Sequence, residues 1–155
     1  MTFSDLKFVR LTQPEQFSLV PRYLFEQIKG SDFKIDRLYQ FGPMLLASPL
    51  TFFYILAEKE QLEKGYAPAK GILWVEINPL DDQIKIHAFS IDKEYQQNMN
   101  GDFQHDSEAL KTTLDFLRKL QKENNLSNKI EIVTLRPRAY QKAGWARSKK
   151  ILMEI

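Results

Sequence analysis

Gln83-Ile-Lys-Ile-His-Ala-Phe-Ser-Ile91 and Ser107-Glu-Ala-Leu-Lys-Thr-Thr-Leu-Asp-Phe-Leu-Arg-Lys-Leu-Gln-Lys-Glu-Asn124, joined by the polar run 92–106, decide the fold. In the first piece Ile84, Ile86 and Ala88 alternate with Lys85, His87 and Phe89, the two-residue period of a strand with unlike faces. In the second, Leu110, Thr113, Leu114, Leu117 and Leu120 recur at helical spacing and predict a helix with one buried face. Asp106 or Ser107 is its expected N-cap. A loop that runs into a helix N-terminus gathers backbone N–H groups at the positive end of the dipole, which suits an anion such as a phosphate. The same unit also serves simply to pack a helix on a sheet, so the flanking sequence has to decide.

Upstream, residues 50–58 and 71–77 are rich in aromatic and β-branched side chains and read as strands. The charged segment 59–70, with Gly65 and Pro68, reads as a loop or an extended hairpin turn, and residues 78–82 read as a turn. With such connections these strands and that at 83–91 form an antiparallel meander. Residues 6–11 give a first strand. Thr12 followed by Glu15 forms a capping box, with Pro14 in the first turn. Phe17, Val20, Leu24 and Ile28 continue a helical stripe to Gly30, which Pro21 kinks or divides in two. A second helical piece runs from Ser31 through Phe33, Leu38 and Phe41 and ends at Gly42-Pro43. Downstream, residues 125–128 form a turn and 129–135 a fifth strand. A right-handed crossover sets it parallel to the strand at 83–91. A short helix then opens at Arg136-Pro137-Arg138 and closes at Gly144, and residues 147–155 read as a last strand. The order gives an α+β fold, one central mixed sheet flanked by helices.

The totals agree with that reading. A chain of 155 residues makes one domain, 1–155, and buries roughly two-thirds of its unfolded surface. There is no cysteine, which excludes disulfides, thiolate metal sites and a cysteine nucleophile. With two histidines, a structural zinc site is not expected. No apolar run reaches the roughly 20 residues of a membrane span. Residues 1–10 lack the layout of a signal peptide, so a cytoplasmic location is expected. A net charge of +2 does not call for nucleic acid.

At residues 139–145 the run Ala-Tyr-Gln-Lys-Ala-Gly-Trp, continued by Ala146-Arg-Ser-Lys149, resembles the short helix and turn that lead into the last strand of the GNAT acyltransferases. Arg136-Pro137 ahead of it is similar to short, phage-type members. The element order is that of the family over essentially all of the chain. The resemblance implies a GNAT-like fold, acetyl-coenzyme A or another acyl-coenzyme A as the acyl donor, and an amine as the acceptor. It places the coenzyme on the backbone of Phe89, Ser90 and Ile91. The pyrophosphate falls on Gln96, Gln97, Asn98, Met99, Asn100 and Gly101. There Gln96 and Gly101 match the family's loop, Met99 stands where its first glycine belongs, and some five residues separate Gly101 from the helix start.

Tyr140 matches the family tyrosine proposed to protonate the departing thiolate, and its bland reading is a tyrosine packing the short helix on the sheet. His87 and Glu76, on adjacent predicted strands, are the candidates for the base that takes the amine proton; a strand histidine is otherwise a structural or surface residue. His105 is a weaker candidate. Trp74 and Trp145 are expected in the core. Arg136, Arg138, Lys142, Arg147, Lys149 and Lys150 make a basic cluster suited to coenzyme phosphates or nucleic acid, or a solvated face. Three functions stay open: an N-acyltransferase, a catalytically silent binding protein of the same fold, and a basic nucleic-acid module, the last not expected. The acceptor is unassigned, no membrane partner is expected, and a homodimer is left open.

Overall fold

The computed structural model describes residues 5–28, 34–64, 68–95, 107–134, 137–142 and 144–155. Five strands, β1 (Leu6–Leu11), β2 (Thr51–Glu58), β3 (Gly71–Asn78), β4 (Gln83–Ile91) and β5 (Glu131–Ile132), lie in sequence order in one sheet. The first four pair antiparallel, and β4 with β5 is parallel. The β3–β4 turn is fixed by Asn78, whose side-chain oxygen accepts from the backbone of Leu80 (3.1 Å) and Asp81 (3.3 Å). This is the mixed α+β sheet expected from the sequence.

Helices cover both faces. On one, α1 (Arg22–Glu26) and α2 (Ile35–Leu45) pack Leu24, Phe25 and Leu38 against Phe53, Ile55, Ile72, Trp74 and Ala88. On the other, α4 (Ser107–Glu123) lays Leu117 and Leu120 on Tyr54, Leu73, Val75, Ile84 and Ile86. Thr113, Leu117 and Leu120 are buried, as the helical stripe requires.

Several local expectations are corrected. The first helical region splits at Pro21 into a 3₁₀ helix, Pro14–Leu19, and α1, but its cap is one residue later than Thr12-Glu15. The Gln16 side chain reaches back and accepts from the backbone N–H of both Thr12 and Gln13 at 2.9 Å. α2 runs through Gly42-Pro43 to Leu45. Gly42 lies under the Phe17 ring, so close that a Cβ would sit 2.4 Å from Cζ, and the last turn of the helix includes Pro43, which forfeits a backbone bond. Phe41 on that helix is about half exposed. Where a loop was expected after β2, the chain makes a one-turn helix, α3 (Lys59–Glu63). The ladder of β5 is two residues long rather than seven. Residues 147–155 join no strand. The expected cap at Gly30, the start at Ser31 and the cap at Asp106 lie outside the described residues.

The short helix α5 (Pro137–Lys142) closes as expected at Gly144, whose φ of +100° suits a residue without a Cβ. Gly144 N–H donates to Gln141 and Trp145 N–H to Tyr140, at 3.1 and 3.0 Å, which is the paired-bond C-cap. Among the described residues, no helix is long and apolar enough to cross a membrane.

Candidate active site

The alternation along β4 does not run unbroken. Trp74 pairs with Ala88 but Val75 pairs with Ile86, so His87 is the extra residue of a β-bulge. The bulge shifts the phase of everything after it. Ile84 and Ile86 face α4, yet Ala88 packs on the α1–α2 side, and Phe89 takes up the α4 side in its place. The expectation that Ala88 continues the Ile84–Ile86 face and Phe89 the opposite one is therefore corrected. The adjacent apolar pair Ala88-Phe89 was the one sign of this in the sequence.

The bulge brings His87 back over Glu76. Its Nε2 lies 2.5 Å from Glu76 Oε2, and its ring stands 5.0 Å from the Trp74 ring at 45°. Both side chains are partly exposed, His87 to 37% and Glu76 to 44%, so a ligand on the α1–α2 face can reach them. A carboxylate only accepts, so neutral His87 keeps its proton on Nε2 toward Glu76. The Nδ1 lone pair is then the one left to take a proton.

The parallel ladder ends at the same level. β4 and β5 share two register pairs, Lys85 with Glu131 and Ile86 with Ile132; β5 stops there and β4 continues to Ile91. The side chains of Phe89 and Ile91 belong to the core, Ile91 with Leu6, Leu56, Tyr95 and Ala109. Ser90 is 6% exposed, and its hydroxyl has no hydrogen-bond partner among the described residues. Gln96, Gln97, Asn98, Met99, Asn100, Gly101 and His105 lie outside the described residues.

Beyond β4 the chain is held at three points that the sequence did not disclose. Tyr23 on α1 donates its hydroxyl to Asp92, Tyr95 donates to Glu58 Oε1 at 2.7 Å, and Lys70 pairs with Glu94 at 3.2 Å. Burial, then the bond to the neighbouring carboxylate, pushes both phenols above their ordinary range, so they remain neutral donors. The partners stand 69 and 37 residues apart, a separation at which no local pattern betrays a pair.

Tyr140 is half-buried on α5 and meets Trp145 edge to face, with centroids 5.4 Å apart. Trp145 in turn packs at the margin of the α4-side core. Tyr140 is thus tied to one side of the sheet while His87 and Glu76 stand on the other. Trp74 belongs to the core under α1 and α2. Of the basic cluster, Arg138, Arg147, Lys149 and Lys150 are exposed, and Lys150 is engaged with Glu131.

No protein-family model and no curated protein sequence matches the chain. Solved structures do. A possible acetyltransferase from Clostridium difficile 630 superposes with a TM-score of 0.64 at 9% identity, over 97% of this chain and 95% of that one. An aminoglycoside antibiotic 6'-N-acetyltransferase from Acinetobacter baumannii gives 0.63 at 10% identity, over 97% of both. The dodecameric spermidine N-acetyltransferase from Vibrio cholerae gives 0.63 at 13%, over 98% of this chain and 85% of that one. With the mixed sheet, the bulge of β4 and the short ladder to β5, these likenesses show that the chain has the GNAT acetyltransferase fold.

Proposed function

We propose that the protein is an N-acyltransferase, taking an acyl group from acetyl-coenzyme A or another acyl-coenzyme A and passing it to an amine by direct attack. One observation carries the reading. The His87 bulge, the His87–Glu76 pair and the end of the β4–β5 ladder all fall at the same level of the sheet. The residues there fit a pantetheine arm. β4 runs on past its neighbour, the side chains of Phe89 and Ile91 point into the core, and the Ser90 hydroxyl is buried with no hydrogen-bond partner among the described residues. Coenzyme contacts then fall on the main chain of Phe89, Ser90 and Ile91 and on the segment from Gln96 to Gly101.

When bound, the coenzyme supplies an acyl group activated as a thioester. His87 accepts the amine proton at Nδ1. Glu76 holds the ring in that tautomer and compensates the charge that the imidazole gains. Trp74, packed against the ring, limits its rotation. Tyr140, from the α4 side, delivers a proton to the leaving sulfur.

Isothermal titration with acetyl-coenzyme A, followed by turnover assays on amines, tests this. Spermidine and an aminoglycoside, named as acceptors of two neighbours, come first. Binding in the micromolar range is expected. His87→Ala is expected to lower kcat by about 10²–10³ while leaving coenzyme binding in place. No heat at millimolar coenzyme would instead support a catalytically silent domain of this fold, the outcome that Met99 in place of glycine favours.

A further inference from the structure

The face of the sheet that α1 and α2 cover extends past them. Val75, Ile77, Ile84, Ile86, Ile130 and Ile132 pack toward α4, so Glu76, Lys85 and Glu131 between them point to the opposite face. Phe52 packs toward α4 and Phe53 toward α1 and α2, which places Thr51 on that opposite face too. The register pairs Thr51 with Glu76, Glu76 with Lys85 and Lys85 with Glu131, so these four form one row across β2 to β5. None belongs to the core under the helices, and each is partly exposed. The row passes directly beside His87, through its partner Glu76.

The charges in this row do not pair as their register invites. Lys85 has a carboxylate on either side, and cross-strand neighbours of opposite sign ordinarily attract one another. Here Glu76 turns to His87, and Glu131 turns to Lys150 and Gln83. Lys85 is left with no side-chain hydrogen bond or ion pair among the described residues. It reaches Glu131 only through space, as the weakest of the effects that hold that carboxyl low. Half-buried, it stands on the same face as His87, roughly 6–7 Å before it along the strand. An anion bound there is not a coenzyme phosphate, because residues 96–101 follow Ile91, at the other end of β4.

We infer that the acceptor is an amine bearing one carboxylate a few bonds away, an amino acid in the simplest case, and that Lys85 holds this carboxylate while His87 receives the amine. The inference rests on the acyltransferase reading. One ammonium set between Glu76 and Glu131 balances a single negative charge, whereas a doubly charged phosphate would be repelled by both carboxylates. A polyamine or an aminoglycoside would bring further ammonium groups up to Lys85. The acids that could receive them, Glu26, Asp36, Glu76 and Glu131, are already engaged, the first two by Arg22.

Two readouts separate this inference from the reading beneath it. The chain has two histidines, so the His87 imidazole signal is assigned by its loss in His87→Ala. Free amino acids titrated into the full chain, with and without coenzyme A, are expected to shift that signal. The matching amino acid amides and spermidine are not, and Lys85→Met is expected to abolish the shift. In turnover with acetyl-coenzyme A, at least one amino acid is expected to exceed its amide about tenfold or more in kcat/KM, although the less basic amide offers more free amine. Lys85→Met is expected to raise KM for that amino acid about tenfold or more with kcat little changed, and to leave the amide as it was; Lys85→Arg restores the preference. Lys85 lies outside the core, so the fold is not at stake. A shift at His87 without turnover of any amine would remove the acyltransferase reading and uphold Lys85 as a carboxylate site. Turnover of spermidine or the amides ahead of every amino acid would overturn the inference and leave that reading standing. A His87 signal indifferent to all amino acids would overturn the inference as well.

Discussion

At Glu131 one carboxylate takes hydrogen bonds from Lys150 and from Gln83 (2.8 Å), and this links stability to pH. The Lys150 bond, opposed in part by burial and aided by Gln83, holds the Glu131 carboxyl below its ordinary 4.5. A carboxyl lowered on folding binds fewer protons in the folded chain than in the unfolded one as the pH passes 4.5. Its contribution is therefore complete above 4.5 and is lost as the pH falls through the lower, folded value. Lys150 is mostly exposed, so solvent screening keeps the pair small. Lys150→Met is expected to cost at most about 1 kcal/mol at neutral pH. Thermal melts of dilute wild type and variant should show a gap that is steady above pH 4.5 and closes below it. A gap that stays constant into strong acid would mean that the lysine acts through its apolar stem instead.

At the scale of the strand, the bulge at His87 decides which side chains are core. Unbroken alternation would have put Phe89 on the same face as Lys85; the structure puts it under α4. Urea unfolding should then separate the two residues. Phe89→Ala is expected to cost about 2–3 kcal/mol by opening a cavity among Phe8, Leu117 and their neighbours, while Lys85→Ala stays within about 0.5 kcal/mol. Equal effects would put the bulge elsewhere. The same element shows what the sequence could and could not disclose. Period and turn chemistry gave β1 to β4, the meander, α4 and the glycine cap of α5, because each is fixed by residues within a few positions of one another. The packing of Gly42 under Phe17 and the bonds of Tyr23 and Tyr95 to Asp92 and Glu58 join residues remote in the chain. The strand expected at 147–155 has the right pattern but joins no ladder among the described residues. At the candidate site, neighbouring strands were enough to suggest His87 with Glu76. The tautomer, the Trp74 contact and the exposure came only with the bulge.

Across the whole molecule the sheet separates two packed layers, with the His87–Glu76 pair on the α1–α2 side and Tyr140 anchored through Trp145 on the α4 side. The β4–β5 ladder ends at Ile86 and Ile132. In the proposed reaction the coenzyme arm lies beyond that end, so the base on the amine and the acid on the leaving sulfur act from opposite sides of the sheet. Binding and chemistry then rest on different groups, the main chain of β4 for the first and the two side chains for the second. A ligand that binds only the folded chain stabilises it by about 2.7 kcal/mol at a hundred times its dissociation constant. For a domain of this size that corresponds to a rise in Tm of roughly 5–10 °C. Saturating acetyl-coenzyme A is expected to produce such a rise in the wild type and equally in His87→Ala and Tyr140→Phe, even as turnover falls by about 10²-fold or more in each. Loss of the thermal shift in His87→Ala would put the imidazole in the coenzyme site rather than on the acceptor side. Tyr140→Phe with full turnover would reduce the phenol to packing against Trp145 and leave the leaving sulfur to solvent.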